Sequence, residues 1–352
     1  MNNGYFAKHA GEFSSYNFNL FEKIISLENL FSAWNEFRLG KENKSDVQRF
    51  ALDLEDNIFE LYDVLKNNNY VHGPYQSFYL HDPKLRHIFK AQVRDRVLHH
   101  ALVKIIGPLF EKSFIFDSYS SRKNQGTHKA IKRFRYFAWK LSRNDTKTVW
   151  ILKCDIKKFF DSVNHDIIIH QIMEKVKDKK AVRLVEHIVN SLNTSSKGGI
   201  PLGNLTSQLF SNIYLDILDQ SIKRRLRIKH YIRYNDDFLI LHENREFLKN
   251  LIPIISNFLK NKLNLELHPQ KIIIKNWNQG IDFFGYVSFP YHTILRTKTK
   301  KIIILKIKRN KEKLRITPEY KKSFYQSTQS YFGILRHCRG RNIRKNMAIL
   351  IS

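Results

Sequence analysis

Two adjacent aspartates interrupt an apolar run that otherwise looks like two buried strands. The run is Tyr231-Ile-Arg-Tyr-Asn-Asp-Asp-Phe-Leu-Ile-Leu241, and Asp236 and Asp237 fall where a hairpin turn would join the strands. Turn chemistry explains one of them, because Asp and Asn tolerate the dihedral angles of turns. The pattern therefore predicts an antiparallel strand pair and leaves one acidic side chain that needs another explanation.

A second strand also ends in a carboxylate. In Ile151-Leu-Lys-Cys-Asp155-Ile156, Asp155 closes an apolar strand. Two strands from separate parts of the chain, each delivering a carboxylate at its end, predict a site for a divalent cation, and Mg²⁺ favours a few carboxylates completed by substrate phosphates and water. Two such ions would support nucleotidyl transfer at a primer hydroxyl. We expect Asp155 and Asp236 to be the principal ligands and Asp237 to be a further one.

Asp161 is a rival ligand, but a position at the opening of the next helix is explained more simply by a capping or turn role.

The charge of the chain points to a polyanionic partner. Its 352 residues hold 61 Lys and Arg against 32 Asp and Glu, a formal net charge of +29. This excess destabilises a compact state by self-repulsion unless a polyanion screens it, which favours nucleic acid. The basic residues alternate with aromatic and β-branched ones and form no polybasic tail, so a membrane partner is not expected. Compositional bias toward Lys, Ile and Asn is the competing explanation of the charge.

Cysteine content and hydropathy exclude other classes. Only Cys154 and Cys338 are present, which rules out a disulfide framework or a zinc site with several thiolates. There is no run of roughly 18 apolar residues and no signal-peptide pattern at the N-terminus. We therefore expect a soluble, cytoplasmic protein.

Periodicity predicts an α+β fold in which helices back an antiparallel sheet. Strands are predicted near 75–89 and at Val149 to Cys154, Tyr231 to Tyr234, Phe238 to Leu241 and Lys271 to Lys275. Helices are predicted at Asp46 to Leu65, Val93 to Phe110, His165 to Asn193, Asn204 to Leu226 and Arg245 to Leu263, with basic strands and then basic helices after Pro290.

Five ordered motifs resemble those of reverse transcriptases. They are Asp155-Ile-Lys-Lys-Phe-Phe160 for motif A, Ile200-Pro-Leu-Gly-Asn-Leu-Thr-Ser-Gln208 for motif B, Tyr234-Asn-Asp-Asp237 for motif C, Lys271 for motif D and Phe283-Phe-Gly-Tyr286 for motif E. Arg94 to Leu102 and Phe114 to His128 resemble the fingers segments of group II intron and related bacterial enzymes. The resemblance implies a right-hand polymerase with an N-terminal helical extension (1–70), fingers (71–150), palm (151–289, with a helical insertion at about 165–200) and thumb (290–352).

The resemblance also implies roles for individual residues. Asp155, Ile156, Asp236 and Asp237 would bind two Mg²⁺ ions, and Lys271 would donate a proton to the departing pyrophosphate. Lys84 and Arg86 would hold the triphosphate, Phe160 would exclude a 2′-hydroxyl so that dNTPs are selected, Leu202, Gly203 and Gln208 would contact nucleotide and template, and Tyr234 would lie beneath the primer terminus. Surface solvation of Lys84 and Arg86 remains an alternative.

Motif B indicates which reverse transcriptases this chain is similar to. Most relatives have Gln before the motif B glycine and Pro after the serine, whereas this chain has Leu202 and Gln208. This form resembles the enzymes of diversity-generating retroelements, which make error-prone cDNA of a template RNA with a small basic accessory protein. Some antiphage-defence reverse transcriptases, which copy a partner noncoding RNA, share the variant and remain the alternative.

Two other classes of protein explain only part of these features. A pure RNA-binding module explains the charge but not three carboxylates at strand ends. A metal-dependent nuclease explains the carboxylates, but it needs neither Phe160 to exclude a 2′-hydroxyl nor motif E, which resembles the primer grip of reverse transcriptases. Copying of RNA into DNA, on an RNA–cDNA hybrid, explains both sets of features.

Overall fold

The chain forms helices and small antiparallel sheets, as its periodicity predicts. The structure is a computed structural model that describes residues 19–81, 85–192, 198–312 and 318–351. Within these ranges there are three antiparallel sheets, of two, four and three strands. None of the helices in the described part of the chain is both long and apolar enough to cross a membrane.

The N-terminal half is mainly helical. Its elements are α1 (Leu20–Ile25), α2 (Leu27–Arg38), α3 (Ser45–Leu52), α4 (Leu54–Lys66), β1 (Gln76–His81), β2 (Leu85–Lys90), α5 (Val93–Glu111), α6 (Thr127–Leu141), β3 (Trp150–Asp155), α7 (Phe159–Ser162), α8 (His165–Lys175) and α9 (Lys179–Val189).

The C-terminal half contains most of the strands. Its elements are α10 (Leu205–Gln220, continued by a π-helical turn at Ser221–Arg225), β4 (Tyr231–Tyr234), β5 (Asp237–His242), α11 (Arg245–Leu263), β6 (Ile273–Asn276), β7 (Ile281–Phe283), β8 (Tyr286–Ser288), β9 (Thr293–Leu295), α12 (Thr297–Glu312), α13 (Pro318–Leu335) and α14 (Arg341–Ile351).

The chain divides into two compact units. Unit 1 contains the described residues up to 123 together with 156–227 and 255–267, and unit 2 contains 124–155, 228–254 and the described residues from 268 onward.

Helix α5 lies at the centre of unit 1, where α1, α2 and α10 pack against it. Two buried polar side chains tie this helix to neighbouring segments, whereas the ring of the buried His99 on the same helix has no hydrogen-bond partner among the described residues. Asp95 is fully buried and accepts hydrogen bonds from the Tyr70 hydroxyl (2.8 Å) and the Gly73 amide (3.1 Å). The Asn29 side chain donates to the carbonyl of Ala101 (3.2 Å), which ties α2 to α5. Because unpaired buried polar groups are costly, these bonds fix how the helices pack.

A four-stranded antiparallel sheet forms the core of unit 2, in the order β4-β5-β3-β6. The register pairs Ile151 with Leu241, and both side chains are buried. Helix α6 packs on β4 and β5. Because neighbouring strands are antiparallel, the end of β3 and the turn between β4 and β5 meet at the same edge of the sheet.

Three predicted elements differ from the structure by more than a one-residue shift of their ends. The helix predicted at Asp46 to Leu65 is two helices that break at Asp53, and the one predicted from His165 is also two, because Asp178 caps a new start by accepting the amides of Lys180 and Ala181. The strand predicted from Lys271 begins at Ile273, because residues 269–271 form a 3₁₀ turn with proline at its start.

Candidate active site

Two of the predicted acidic residues face each other across paired strands. Asp155, the last residue of β3, pairs with Asp237, the first residue of β5. The β4–β5 hairpin closes with Tyr234 opposite Asp237, so Asn235 and Asp236 form the turn. Asn235 has φ +55°, a left-handed conformation in which Asn is enriched. The sequence placed both aspartates in the turn, but Asp237 belongs to the strand.

The Asp155 carboxylate is buried and already has a cationic neighbour. Asp155 is only 4% exposed, and its Oδ1 accepts a hydrogen bond from Lys271 Nζ at 2.5 Å. The backbone assists this contact, because the His268 amide donates to the Asp155 carbonyl (2.8 Å) and the Lys271 amide donates to the His268 carbonyl (2.9 Å). The 3₁₀ turn therefore delivers Lys271 to the end of β3.

The charges of Asp155 and Asp237 both act on the neighbouring Cys154 thiol. Burial, and then the two carboxylates, raise the pKa of Cys154 to about 12. Cys154 is a free cysteine buried in β3, and at neutral pH it is a protonated, apolar core residue. Burial is the larger cause of the raised pKa, and the charges of Asp155 and Asp237 add to it.

The carboxylates of the three predicted aspartates suit a hard divalent cation, although they do not converge on one point in this structure. Like charges directly opposite each other in an antiparallel pair destabilise it, so a cation beside Asp155 and Asp237 stabilises the pair, as the Lys271 ammonium already does at Asp155. Carboxylate oxygens are the ligands that Mg²⁺ prefers, and Ile156 can add only a main-chain carbonyl oxygen. Across the described ranges, no group of three or more His, Cys, Asp or Glu side chains converges closely enough to hold a metal. The three predicted aspartates therefore fit a metal by chemistry, but this conformation does not bring all three together.

Tyr234 and motif E meet beside this turn in unit 2. The Tyr234 ring lies 4.3 Å from that of Phe284, and its hydroxyl accepts a hydrogen bond from Thr127 (3.3 Å). Phe284 and Gly285 form the two-residue turn between β7 and β8, with φ +53° and +82°. A positive φ is unusual for a bulky residue such as Phe284, so the turn is strained where its ring contacts Tyr234.

The remaining predicted residues belong to unit 1. Phe160 is half-buried, with its ring 5.3 Å from that of the fully buried Phe159. Gln208 is exposed on α10. Arg86 is exposed on β2 opposite Leu80. Lys84 lies outside the described residues.

The motif B loop is hydrogen-bonded along β2. The Phe89 amide donates to the Leu202 carbonyl (2.9 Å), and the Asn204 side chain donates to the Phe89 carbonyl (2.8 Å). Gly203 has φ +119°, and a Cβ there would approach the Ile88 side chain to 2.9 Å. Close packing on β2 therefore gives a reason within the fold for glycine at position 203, where the sequence suggested only an approach of nucleotide or template.

Several well-positioned residues were missed by the sequence reasoning. His165 is buried with both ring nitrogens hydrogen-bonded, and Thr127 donates to Tyr234. Asn235, which adopts the left-handed conformation in the turn before Asp237, was not singled out either. The preference of Asn for left-handed turns is the one signal in the sequence that could have identified its role.

Comparisons with known proteins identify relatives of the chain. The family model described as "Reverse transcriptase (RNA-dependent DNA polymerase)" matches residues 81–288. Protein YkfC of Escherichia coli K12 is 25% identical over 302 residues, which cover 73% of this chain and 75% of YkfC. The group II intron-encoded protein LtrA of Lactococcus lactis is 22% identical over 306 residues, which cover 66% of this chain and 49% of LtrA.

The fold has a counterpart among solved structures. The structure of telomerase from Candida albicans in complex with a TWJ fragment of telomeric RNA matches with a TM-score of 0.50 and 10% identity, covering 81% of this chain and 60% of that one. At this identity the likeness concerns the fold alone. The chain spans about half the length of LtrA, so the activity of that whole protein does not transfer to it directly.

Proposed function

Because this chain belongs to the reverse transcriptase (RNA-dependent DNA polymerase) family, with homologues among group II intron-encoded enzymes and the fold of a right-hand polymerase, we propose that it copies an RNA template into cDNA by magnesium-dependent nucleotidyl transfer. Divalent metal ions are general in this family. The observation that carries the proposal is the pairing of Asp155 with Asp237 at the sheet edge, with Asp236 in the adjoining turn.

The proposed chemistry joins the 3′-hydroxyl of a primer to the α-phosphorus of a dNTP. A new P–O bond forms there, the bond to the β-phosphate breaks, the hydroxyl loses its proton, and pyrophosphate leaves. Two bound Mg²⁺ ions would lower the pKa of the attacking hydroxyl and stabilise the leaving group. Asp155, Asp236, Asp237 and the Ile156 carbonyl would hold these ions, completed by phosphate oxygens and water.

Lys271 has two tasks in this proposal. Its ammonium neutralises the buried Asp155 carboxylate, with which it forms an ion pair at 2.5 Å. A cation bound at Oδ1 requires the ammonium to move away from that oxygen. Lys271 would then donate a proton to the departing pyrophosphate as a general acid.

The remaining residues would select and hold substrates. We propose that Arg86 and Lys84 bind the triphosphate, that Phe160 excludes a 2′-hydroxyl, and that Tyr234 supports the primer terminus. Leu202, Gly203 and Gln208 would contact the nascent base pair and the template. The assignment of residues 71–150, 151–289 and 290–352 to fingers, palm and thumb follows the same proposal.

Primer extension tests the activity directly. The purified chain, given an RNA template with an annealed DNA primer, dNTPs and Mg²⁺, is expected to synthesise cDNA. Asp236→Asn should reduce the rate by at least about 10³-fold, because neutralising one carboxylate removes several kcal/mol of transition-state charge stabilisation. Asp63→Asn, an exposed residue on α4, is the matched control and should retain the wild-type rate. Synthesis that persists in Asp236→Asn refutes the metal assignment.

We further propose that the biological programme is retroelement diversification, in which the cDNA carries errors at template adenines. Leu202 supports this proposal, because a Leu in place of the usual Gln removes a polar constraint on the new base pair. A small basic accessory protein would assist the enzyme, as in the enzymes that its motif B resembles.

Sequencing of the cDNA tests the programme. Wild-type products should carry substitutions concentrated at template adenines, and Leu202→Gln should reduce their frequency about tenfold, the factor that one restored hydrogen bond supplies. The Leu202→Gln substitution does not alter Asn204, whose side chain donates to the Phe89 carbonyl of β2, so the motif B loop should keep its position. Wild-type errors spread evenly over the four template bases would contradict diversification and favour the copying of a noncoding RNA in phage defence.

A further inference from the structure

A buried histidine links motif A to the segment that leads into motif B. His165, the first residue of α8, is 7% exposed. Its Nε2 lies 2.7 Å from the Gly199 carbonyl oxygen, and its Nδ1 lies 2.8 Å from Oδ1 of Asn190. A carbonyl oxygen only accepts hydrogen bonds, so Nε2 is the donor to Gly199.

The same segment is bonded to the backbone of Phe160. The Ile200 amide donates to the Phe160 carbonyl (2.8 Å), and the Gly199 amide donates to the Val163 carbonyl (2.8 Å). Gly198 forms a β-bridge with Asn164. Residues 198–200 therefore lie antiparallel to residues 160–164, with Phe160 at one end of the pairing and His165 just beyond the other.

The backbone at Gly199 lies close to the backbone of residues 160 and 161. It has φ +90°, and a Cβ at this position would lie 3.3 Å from the Asp161 carbonyl oxygen and 3.4 Å from that of Phe160. The two backbones are thus in close contact at Gly199, so a shift of its carbonyl is transmitted to the backbone of Phe160. The His165 imidazole donates a hydrogen bond to that carbonyl.

We propose that His165 is a positioning residue that fixes the Phe160 backbone through residues 198–200, and thereby sets the selectivity of the enzyme for deoxyribonucleotides over ribonucleotides. The inference rests on the proposed function, in which the Phe160 ring excludes the 2′-hydroxyl. A steric barrier discriminates only if its backbone is held, because a shift of about 1 Å admits or rejects one hydroxyl oxygen. His165 touches neither substrate nor metal in this proposal and acts only through the Gly199 carbonyl.

Two nearly isosteric substitutions separate this role from simple packing. A Gln side chain places its amide nitrogen near the position of Nε2, whereas an Asn side chain reaches only as far as Nδ1. His165→Gln therefore keeps the donor to Gly199, and His165→Asn removes it while keeping a polar group near Asn190. The ratio of kcat/KM for a dNTP to that for the matching NTP should be close to wild type in His165→Gln and roughly tenfold lower in His165→Asn, the factor that one net hydrogen bond supplies.

His99 provides the matched control. It is a fully buried histidine of unit 1 whose ring nitrogens have no hydrogen-bond partner among the described residues. His99→Asn makes the same change in volume and polarity but removes no hydrogen bond to residues 198–200, so the ratio should stay at the wild-type value. Melting curves establish that each variant is folded at the assay temperature.

The outcomes separate the inference from the proposed function. Absence of polymerisation by the wild-type chain overturns the proposed function. If the dNTP-to-NTP ratio of kcat/KM is unchanged in Phe160→Ala, the Phe160 ring does not exclude the 2′-hydroxyl. If Phe160→Ala lowers the ratio but His165→Asn does not, the positioning role is wrong. An equal loss in His165→Gln and His165→Asn, or a similar loss in His99→Asn, also contradicts it, because the effect would then follow general destabilisation and not the donor to Gly199.

Discussion

At the scale of single residues, the opposed carboxylates determine the chemistry of their neighbours. Asp155 and Asp237 are register partners, so their charges add at one edge of the sheet. Lys271 compensates Asp155 directly, whereas Cys154 responds to both through its raised pKa. A buried ionisable group is stable next to such charge only if it stays neutral or carries the opposite sign.

The raised pKa of Cys154 predicts a specific loss of stability at alkaline pH. Its thiol titrates at 9.0 ordinarily and at about 12 in the fold, so the protonated form stabilises the native state up to about pH 9, and this contribution is lost as the pH rises toward 12. Between pH 8 and 10 the wild-type chain should lose about 1.4 kcal/mol of unfolding free energy more than Cys154→Val does. Urea unfolding at both pH values measures the difference.

A second pH interval is the control for that measurement. Between pH 7 and 8 the thiol is protonated in both the folded and the unfolded states, so wild type and Cys154→Val should change in parallel. Equal pH dependence of the two proteins between pH 8 and 10 would show that Cys154 is not desolvated beside the carboxylates.

Sequence reasoning predicted carboxylates at the ends of these strands but not their arrangement. Asp155, Asp236 and Asp237 were predicted to be neighbours, and the structure pairs 155 with 237 across two strands. Which aspartate faces the neighbouring strand depends on how many residues form the turn, and that number depends on the left-handed φ of Asn235. A shift of one residue exchanges the two faces of a strand, so a pattern of residue types could not decide it.

At the scale of secondary-structure elements, the β7–β8 hairpin holds an aromatic residue in a strained turn. Phe284 has a positive φ, and its ring lies 3.7 Å from that of Phe283 and 4.3 Å from that of Tyr234. Asn or Gly would fit this turn without strain. Strain of this kind persists only where the surroundings impose it, which is common at functional sites.

Replacing Phe284 separates strain from function. In Phe284→Asn the relief of backbone strain offsets the lost ring contacts, so the unfolding free energy should change by less than about 1 kcal/mol. The KM for primer-template should nevertheless rise, because Tyr234 loses the ring that packs against it. Phe289→Asn, which removes a half-buried ring with no strain to relieve, should cost more stability. A larger loss in Phe284→Asn than in Phe289→Asn would contradict this account.

Element boundaries show a second limit of prediction from the sequence. Periodicity found the helical regions, but it did not find the breaks at Asp53 and Asp178. Asp178 is of a residue type that favours helix N-caps, and in the structure its carboxylate accepts hydrogen bonds from two backbone amides. Apolar spacing continues through both breaks, so periodicity alone favours one long helix in each case.

At the scale of the whole molecule, charge is unevenly distributed along the chain. Residues 20–66, which form α1 to α4, hold ten acidic and six basic residues, whereas the chain as a whole is +29. The positive excess therefore lies after residue 66, and the predicted thumb, which includes α12, is rich in Lys. Sequence composition predicted a polyanionic partner, but it did not show that the first four helices carry a net negative charge in a strongly basic chain.

This distribution predicts which residues govern salt dependence. Affinity for an RNA–DNA hybrid should fall steeply between 50 and 200 mM salt, the range over which released counterions weaken phosphate contacts. Lys301→Ala, on the exposed face of α12, should reduce the slope of log K against log salt concentration by about 1. Lys44→Ala, at the start of α3, should leave that slope unchanged. Fluorescence anisotropy titrations at several salt concentrations measure both, and equal slopes in the two variants would exclude α12 as a phosphate contact.

The bonding of residues 202–204 along β2 has a mechanical consequence. The strand that carries Arg86 and the loop that carries Leu202 share two backbone-anchored hydrogen bonds and a contact too tight for any side chain at position 203. The positions of the strand and the loop are therefore coupled. If Arg86 binds the triphosphate and Leu202 contacts the new base pair, as proposed, a displacement of the β1–β2 hairpin also displaces Leu202, so nucleotide affinity and copying accuracy are expected to change together.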